Sequence, residues 1–425
     1  MINLFSEFPI KSEKEWKNKI ISELKELDYH KTLVYSSLEG IDIQPIYTKE
    51  FTDYLPLSPL PKTQSNWDIF TEITDHSILN ENEVDGFIVN LDKNEMPING
   101  YKNILVCNDL NRLKEINFSS TQNFLQLDIY GNLFSTGNWF VDQSHDENLI
   151  LHLLENKNLE KIICINNALF QNAGANCIQQ LAFVLSHAND YIEKFGEKII
   201  PKLYFNFAVG GNYFFEIAKL RAFRFMWQSF LESKNIDLEA YIFTESSMRN
   251  KSIFDSFNNV IRNTLEISSA IFGGSNGILI HAHDSFTDRN EINNFSAELA
   301  HKEQLILKKE SYLDKFSDPI EGNYFVESIT NQMIEKAGDL FKKIEKNGGL
   351  IASMKQGMIQ KMVNESHEKE QSFFDEQKQV LIGVNKFKNK EEKIENQFVP
   401  TQKNDSILFE PILAKRLAQK IEKNE

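Results

Sequence analysis

The chain has 425 residues, beyond the size of one ordinary compact core yet within reach of a single large barrel carrying extra segments. Hydrophobic residues make up 41% and aromatics 12%, so the chain can bury a large core and is not a disordered polymer. Asp and Glu number 61 against 46 Lys and Arg, and a formal charge of -15 repels a phosphate backbone, which sets nucleic acid aside as a partner.

The N-terminus, MINLFSEFPIKSEKEW, has no basic flank leading into a sustained apolar run. No window approaches the ~20 apolar residues that span a bilayer, so no membrane is expected and the predicted location is cytoplasmic. Cys107, Cys164 and Cys177 follow no metal-ligand spacing and read as buried core thiols in a reducing compartment.

In chain order, Ser12 to Leu27 is predicted to be helical. Trp16, Ile20, Ile21, Leu24 and Leu27 recur at three- and four-residue steps, and Ser12 with Glu15 forms a capping-box pattern. Short apolar stretches from Leu33 to Tyr47, broken by Gly40 and Pro45, and a Pro-bearing run from Leu55 to Lys62 continue an extended arm over residues 1–65. From residue 66 to 365 the pattern alternates. Predicted strands are Gly86–Asn90, Ile104–Cys107, Leu125–Tyr130, Lys161–Ile165, Leu203–Phe207, Ala240–Thr244 and Ile278–His281. Predicted helices are Ala175–Lys194, Asn212–Ser233, Asp255–Ile271, Ser296–Lys309 and Val326–Lys346.

Such alternation predicts a parallel sheet clothed in helices. An open doubly wound sheet would carry a Gly-rich phosphate turn after its first strand, and none occurs. A (β/α)₈ barrel is therefore preferred, with the open sheet as the alternative. Residues 366–425 are predicted to hold a helix, a strand at Gln379–Phe387, a charged linker (KNKEEKIENQ) and a last short helix from Ile412 to Ile421.

Several blocks stand in a telling order: Asp28-Tyr29-His30-Lys31-Thr32-Leu33 with Glu39-Gly40-Ile41; Gln171-Asn172-Ala173-Gly174-Ala175; and Asn212 to Arg224. They are followed by Asp255 with Asn258 to Thr264, Phe272-Gly273-Gly274, Lys309-Glu310-Ser311, and Asp318-Pro319 with Gly322 to Glu327. Together they resemble the methylmalonyl-CoA mutase family. The resemblance implies a (β/α)₈ barrel whose catalytic version encloses acyl-CoA, followed by a flavodoxin-like domain that carries adenosylcobalamin.

The same blocks also read as ordinary structure. On the predicted helix Asn212–Ser233, Phe215, Ala218, Ala222 and Phe225 share a face that can pack on the sheet, and Glu216 and Lys219 one turn apart can pair for a few tenths of a kcal/mol. Asp318-Pro319 before Gly322 is turn chemistry, expected to join the last strand to its helix.

What is missing sets the expected role. Catalytic members of the family carry a Tyr-His pair just before the Q-x-A-G-A block, and its His meets the thioester carbonyl. Here those positions read Ala168-Leu169 before Gln171, and neither side chain donates a hydrogen bond. The family's Arg-Thr-His-Ser-Gln-Thr-Ser strand corresponds to Tyr241-Ile242-Phe243-Thr244-Glu245-Ser246-Ser247. That removes the arginine fork for a substrate carboxylate and sets Glu245 against it.

The Arg-Gln-Tyr-Ala-Gly block has no counterpart between Asn66 and Gly100, and D-x-H-x-x-G, in which Asp orients a cobalt-binding His, is absent. After Phe387 the sequence given holds about 40 residues, too few for a domain of more than about 100. Cobalamin is accordingly expected on a large catalytic partner and not on this chain. The expected degenerate barrel-mouth positions are Ala168, Leu169, Gln171, Tyr241, Phe243, Glu245, His281 and His283.

Two other readings stay open on the sequence. One is a stand-alone metal-dependent hydrolase using His281, His283 and Asp284, which sit together after an apolar strand. The other is the catalytic half of a split CoA-ester mutase.

Overall fold

Among the described residues, eight parallel strands close on themselves: β1 (Asp68–Glu72), β2 (Gly86–Asn90), β3 (Lys102–Val106), β4 (Asn123–Leu127), β5 (Leu159–Asn166), β6 (Leu203–Val209), β7 (Ile242–Ser246) and β8 (Gly277–Leu279). The computed structural model describes residues 7–423 apart from 10, 26, 53–59, 62–65, 74–82, 94, 116–121, 286–293 and 390–406. Each strand pairs with its neighbour in sequence, and β8 returns to β1 through Gly277↔Asp68, Ile278↔Ile69 and Leu279↔Phe70. The fold is a (β/α)₈ barrel.

β1 is the strand the sequence pattern does not reveal. DIFTE is short and ends in charge, yet both its neighbours bury it. The strand predicted at Leu125–Tyr130 ends earlier than expected. Asp128 Oδ1 accepts from Gly131 N at 2.7 Å, which caps a helix over Ile129–Thr136 and takes Ile129 and Tyr130 out of the sheet.

Outward residues of the strands join the main core with the helices Cys177–Phe195, Tyr213–Glu232 and Tyr324–Lys346. Inward residues alternate with them and form a separate cluster along the barrel axis: Phe70, Ile104, Phe124, Cys164, Tyr204, Phe243 and Leu279, with Ile88 and Tyr241 beside them. The rings interlock, Phe70 edge-on to Phe243 at 5.3 Å and Phe124 edge-on to Tyr241 at 4.9 Å between centroids. Gly86 and Gly277 make this possible, because a Cβ on either would lie within 3 Å of the Phe70 ring. Two missing side chains admit one large one.

The helix Tyr213–Glu232 does more than pack. Arg221 and Arg224 are fully buried on it. Arg221 pairs with Asp318 at 2.6 Å and Glu327 at 2.7 Å, and Arg224 Nη1 donates to the Ala240 carbonyl at 3.1 Å and Nη2 to Asn276 Oδ1 at 2.6 Å. Glu216 and Lys219 meet at 2.5 Å, as their one-turn spacing allows, and both are buried, so the pair lies in the interior. Asp318 likewise differs from expectation. Its turn leads into Tyr324–Lys346 far beyond β8, and its carboxylate serves Arg221.

Two C-terminal expectations are corrected. Gln379–Phe387 is a looped turn with a single local bridge, Ile382↔Lys386, because Gln377, Gly383 and Phe387 take positive φ and Asn385 ties the loop to Phe374 and Gln379. The last helix is only Gln419–Glu422. Upstream of it the backbone is outside any helix and bonded elsewhere: Ile412 N to Phe134 O, Lys415 N to Asn172 O and Leu417 N to Arg249 O. Most of the charged linker and of the Leu55–Lys62 run lies outside the described residues.

The arm helix spans Glu13–Leu24, with both bonds of the capping box present. None of its residues is buried. A two-stranded hairpin, Tyr35–Ser36 with Asp42–Ile43, follows the short helix Tyr29–Leu33.

Candidate functional site

The alternation of β-strands sorts inward side chains into tiers. On β1 these are Asp68, Phe70 and Glu72. On the run through β7 they are Tyr241, Phe243 and Glu245, and on β8 and beyond Gly277, Leu279 and His281. The residues expected together at the mouth are thus divided. Tyr241 lies at the opposite end, its hydroxyl donating to Asp68 Oδ2 at 3.0 Å, where Asp68 also pairs with Lys102 at 2.5 Å. Phe243 belongs to the middle ring. Of the three, Glu245 alone stands in the mouth tier.

There His281 sits between two carboxylates, Nε2 at 3.6 Å from Glu245 and Nδ1 at 3.8 Å from Glu72. Asn206 Nδ2 bridges Asn166 Oδ1 at 3.2 Å and Glu245 Oε2 at 3.3 Å. The His281 backbone is held as well, its N–H donating to Ser246 Oγ and its carbonyl accepting from Asn263 Nδ2, both at 3.0 Å. Burial pushes the imidazole down, but Glu245 and Glu72 on either side outweigh it and raise His281 to about 10. The separations are long for hydrogen bonds, so charge attraction across a largely buried gap is the main link. The two carboxylates thus favour the charged form of the His281 ring at the barrel mouth.

His283 turns away from it. Its ring stacks on Phe257 at 4.8 Å, and its carbonyl accepts from Asn259 Nδ2 at 2.9 Å. His281 and His283 therefore do not converge, and among the described residues no group of three or more His, Cys, Asp or Glu is placed to hold a metal ion.

Ala168 and Leu169 open the short helix Ala168–Ala173 after β5. Ala168 is buried and Leu169 packs on the main core. Gln171 Oε1 accepts from Ser247 Oγ at 3.0 Å and faces a cavity of about 460 Å³ over the β5, β6 and β7 loops. Glu39 from the hairpin and Leu381 and Leu417 from the C-terminal segment also line it. Burial raises the Glu39 carboxyl.

Arg249, also on this wall, is occupied within the chain. Its Nε donates to Glu370 and its Nη1 to the Lys415 carbonyl, each at 2.6 Å, and Nη2 meets His367 Nδ1 at 3.0 Å. Burial and the Arg249 and Lys415 charges push His367 down to about 4, so it stays neutral. Among the described residues lining this cavity the arginine is Arg249, and its fork is taken.

One polar network is not readable from sequence. Asp128 accepts from Tyr191 hydroxyl at 2.8 Å, Gly131 N at 2.7 Å and Asn166 N at 3.0 Å, and meets His187 Nε2 at 3.0 Å. Asp128, His187 and Tyr191 are all buried, so the trio ties β4 to the helix Cys177–Phe195. Only the Asp ahead of a helical run hinted at a cap.

A family model described as methylmalonyl-CoA mutase matches residues 91–421. The chain belongs to the methylmalonyl-CoA mutase family. The small subunit of methylmalonyl-CoA mutase from Porphyromonas gingivalis is 27% identical over 447 residues, covering 91% of this chain and 71% of that one. Methylmalonyl-CoA mutases from Escherichia coli and Rhizobium meliloti are 34% and 33% identical, over 51% and 53% of this chain. The matches cover 31% and 33% of those two relatives, so the chain corresponds to about a third of their length.

The mutase relationship explains why the barrel is there. It does not require that the barrel be open, and here its axis is filled. In the D-x-H of this chain, Asp28 accepts from Lys31 N at 2.8 Å as a helix cap, His30 is exposed, and Leu33 stands where the family's cobalamin motif has a Gly. The carboxylate that would orient the histidine is committed elsewhere, so these residues do not fit cobalt ligation.

Proposed function

We propose that this chain is the small subunit of a heterodimeric, adenosylcobalamin-dependent methylmalonyl-CoA mutase. It stabilises a large catalytic chain that holds the cofactor and interconverts methylmalonyl-CoA and succinyl-CoA. The chain itself performs no isomerisation. The observation that carries this reading is the filled barrel: Phe70, Phe124, Tyr204 and Phe243 occupy the axis along which a catalytic member would enclose acyl-CoA.

Three further features support it. Ala168-Leu169 offer no donor to a thioester carbonyl. Glu245 and Glu72 place negative charge at the mouth, against an anionic substrate. The relative matched over most of both chains is named a small subunit. No described helix is long and apolar enough to cross a membrane, in keeping with a cytoplasmic complex. The hydrolase reading needs His281, His283 and Asp284 to converge, and the split-mutase reading needs a carbonyl donor and an open axis.

The test is co-purification of tagged chain with the large mutase chain of the same source. A complex that binds adenosylcobalamin only when the large chain is present is the expected result. Cobalamin retained by this chain alone, or no complex at all, would overturn the proposal.

A further inference from the structure

The outer face of the helix Asn258–Phe272 is unlike that of a solvent-facing barrel helix. From Phe257 to Phe272 three residues are exposed, Phe257 at 59%, Ile261 at 63% and Leu265 at 57%, spaced four apart on one stripe. None is charged. The stripe continues onto the loop after Met358–Asp375, where Ile382 is 47% exposed and its carbonyl accepts from Arg262 Nη2.

The helix Tyr324–Lys346 provides the internal contrast. From Glu335 onward its exposed residues are Glu335, Lys336, Asp339, Lys342, Lys343 and Lys346, every one charged. Both helices clothe the same barrel and bury one face on it. Water explains the second outer face but not the first.

We infer that the Phe257–Ile261–Leu265 stripe, with Ile382 at its edge, is the surface on which the large mutase chain docks. This rests on the subunit reading above and adds where the partner sits. The stripe exposes roughly 300–400 Å² of apolar surface, comparable to the largest patches on monomers. A stable complex buries about 800 Å² per partner, so the stripe is sized to be its apolar centre within a polar rim.

Charge selects the occupant. A second copy would bring another -15 to this chain, so self-association is opposed at long range. The occupant is instead a different chain that presents an apolar ridge, since Phe257, Ile261 and Leu265 offer a buried charge no partner and the nearby Arg262 is bonded to Asn259 and the Ile382 carbonyl.

The experiment compares complexes of the large mutase chain with tagged wild type, Ile261→Glu and, as a control on the charged helix, Lys342→Glu. Affinity is measured together with the melting temperature of each small chain alone and hydrogen exchange of residues 257–265. The expected result is a loss of at least 100-fold in affinity for Ile261→Glu with an unchanged melt, less than 3-fold for Lys342→Glu, and amide protection over 257–265 in the wild-type complex.

Undiminished pairing of Ile261→Glu, with exchange over 257–265 unaltered, overturns the inference while leaving the subunit reading intact. Failure of wild type to pair overturns both. A wild-type self-dimer dissolved by Ile261→Glu assigns the face to a second copy and overturns the proposed occupant. If Ile261→Glu does not fold, exchange in the wild-type complex decides alone, protection supporting the docking face and its absence refuting it.

Discussion

The barrel and the arm solve opposite problems. Inside the barrel the side chains of eight strands meet one another so completely that the axis is packed with aromatic rings, while on the arm helix Glu13–Leu24 no residue is buried. Trp16, Ile20 and Leu24 are half-covered and Ile21 is exposed, although the helix is well capped and amphipathic. The barrel thus completes itself and the arm does not. On the proposed subunit reading, the filled axis and the uncovered apolar surface at the periphery belong together, since the chain would serve another molecule through its outside.

The comparison breaks most easily at the barrel axis. Phe70→Ala removes the ring that fills the space beside Gly86 and Gly277, and a large-to-small change in so tight a core should cost about 4 kcal/mol. Chemical denaturation of the purified chain checks this. A cost below about 1 kcal/mol would mean that the interior is loosely packed.

At the mouth, His281→Ala should cost about 3 kcal/mol, because Glu72 and Glu245 lose the cation between them. The pH dependence has a definite sign. His281 is raised to about 10 in the folded chain, against about 6.5 when unfolded, so its contribution is complete below about pH 6.5 and is lost as pH rises through 10. The stability gap between wild type and His281→Ala should therefore narrow from pH 6 to pH 10. A gap that stays flat over that range would remove the imidazolium from the account.

On the arm, deletion of residues 1–27 should leave the melt of the chain alone unchanged and weaken pairing with the large chain about 100-fold, or about 2.7 kcal/mol. Loss of folding would mean that the helix serves as a lid on its own barrel. The smallest effect is local. Ser12→Ala removes a cap bond to Glu15 N at 3.2 Å and should fray the arm helix by about 1 kcal/mol, seen in amide exchange of 13–16, with no change in global unfolding.

How far the sequence could be read follows the same division. Strands β2, β5 and β6 announce themselves as apolar runs, and the arm helix by its period and its Ser12–Glu15 box, because in each case the signal is local. β1 is hidden, since DIFTE has little apolar length and owes its place to pairing with β8, some 200 residues away in sequence. QVLIGVNKF looks like a strand but lies off the sheet, where Asn385 and the positive-φ residues fold it into a turn.

At the site, the lack of a hydrogen-bond donor in the Ala168-Leu169 side chains is legible because it needs only their chemistry. The separation of Tyr241, Phe243 and Glu245 into three tiers, and the pairing of His281 with Glu72, depended on barrel register, which no single segment encodes. The burial of Arg221 and Arg224 was equally out of reach, for their partners Asp318, Glu327, Ala240 and Asn276 lie on other segments.

The central claim is that the barrel of this chain takes no part in the chemistry, and acyl-CoA binding tests it most directly. Titration of the purified chain with methylmalonyl-CoA and succinyl-CoA, followed calorimetrically and with turnover assayed in the presence of adenosylcobalamin, should show neither binding nor isomerisation. Saturable binding of either thioester, abolished by a substitution at Phe243 or Glu245, or any turnover by this chain alone, would contradict it.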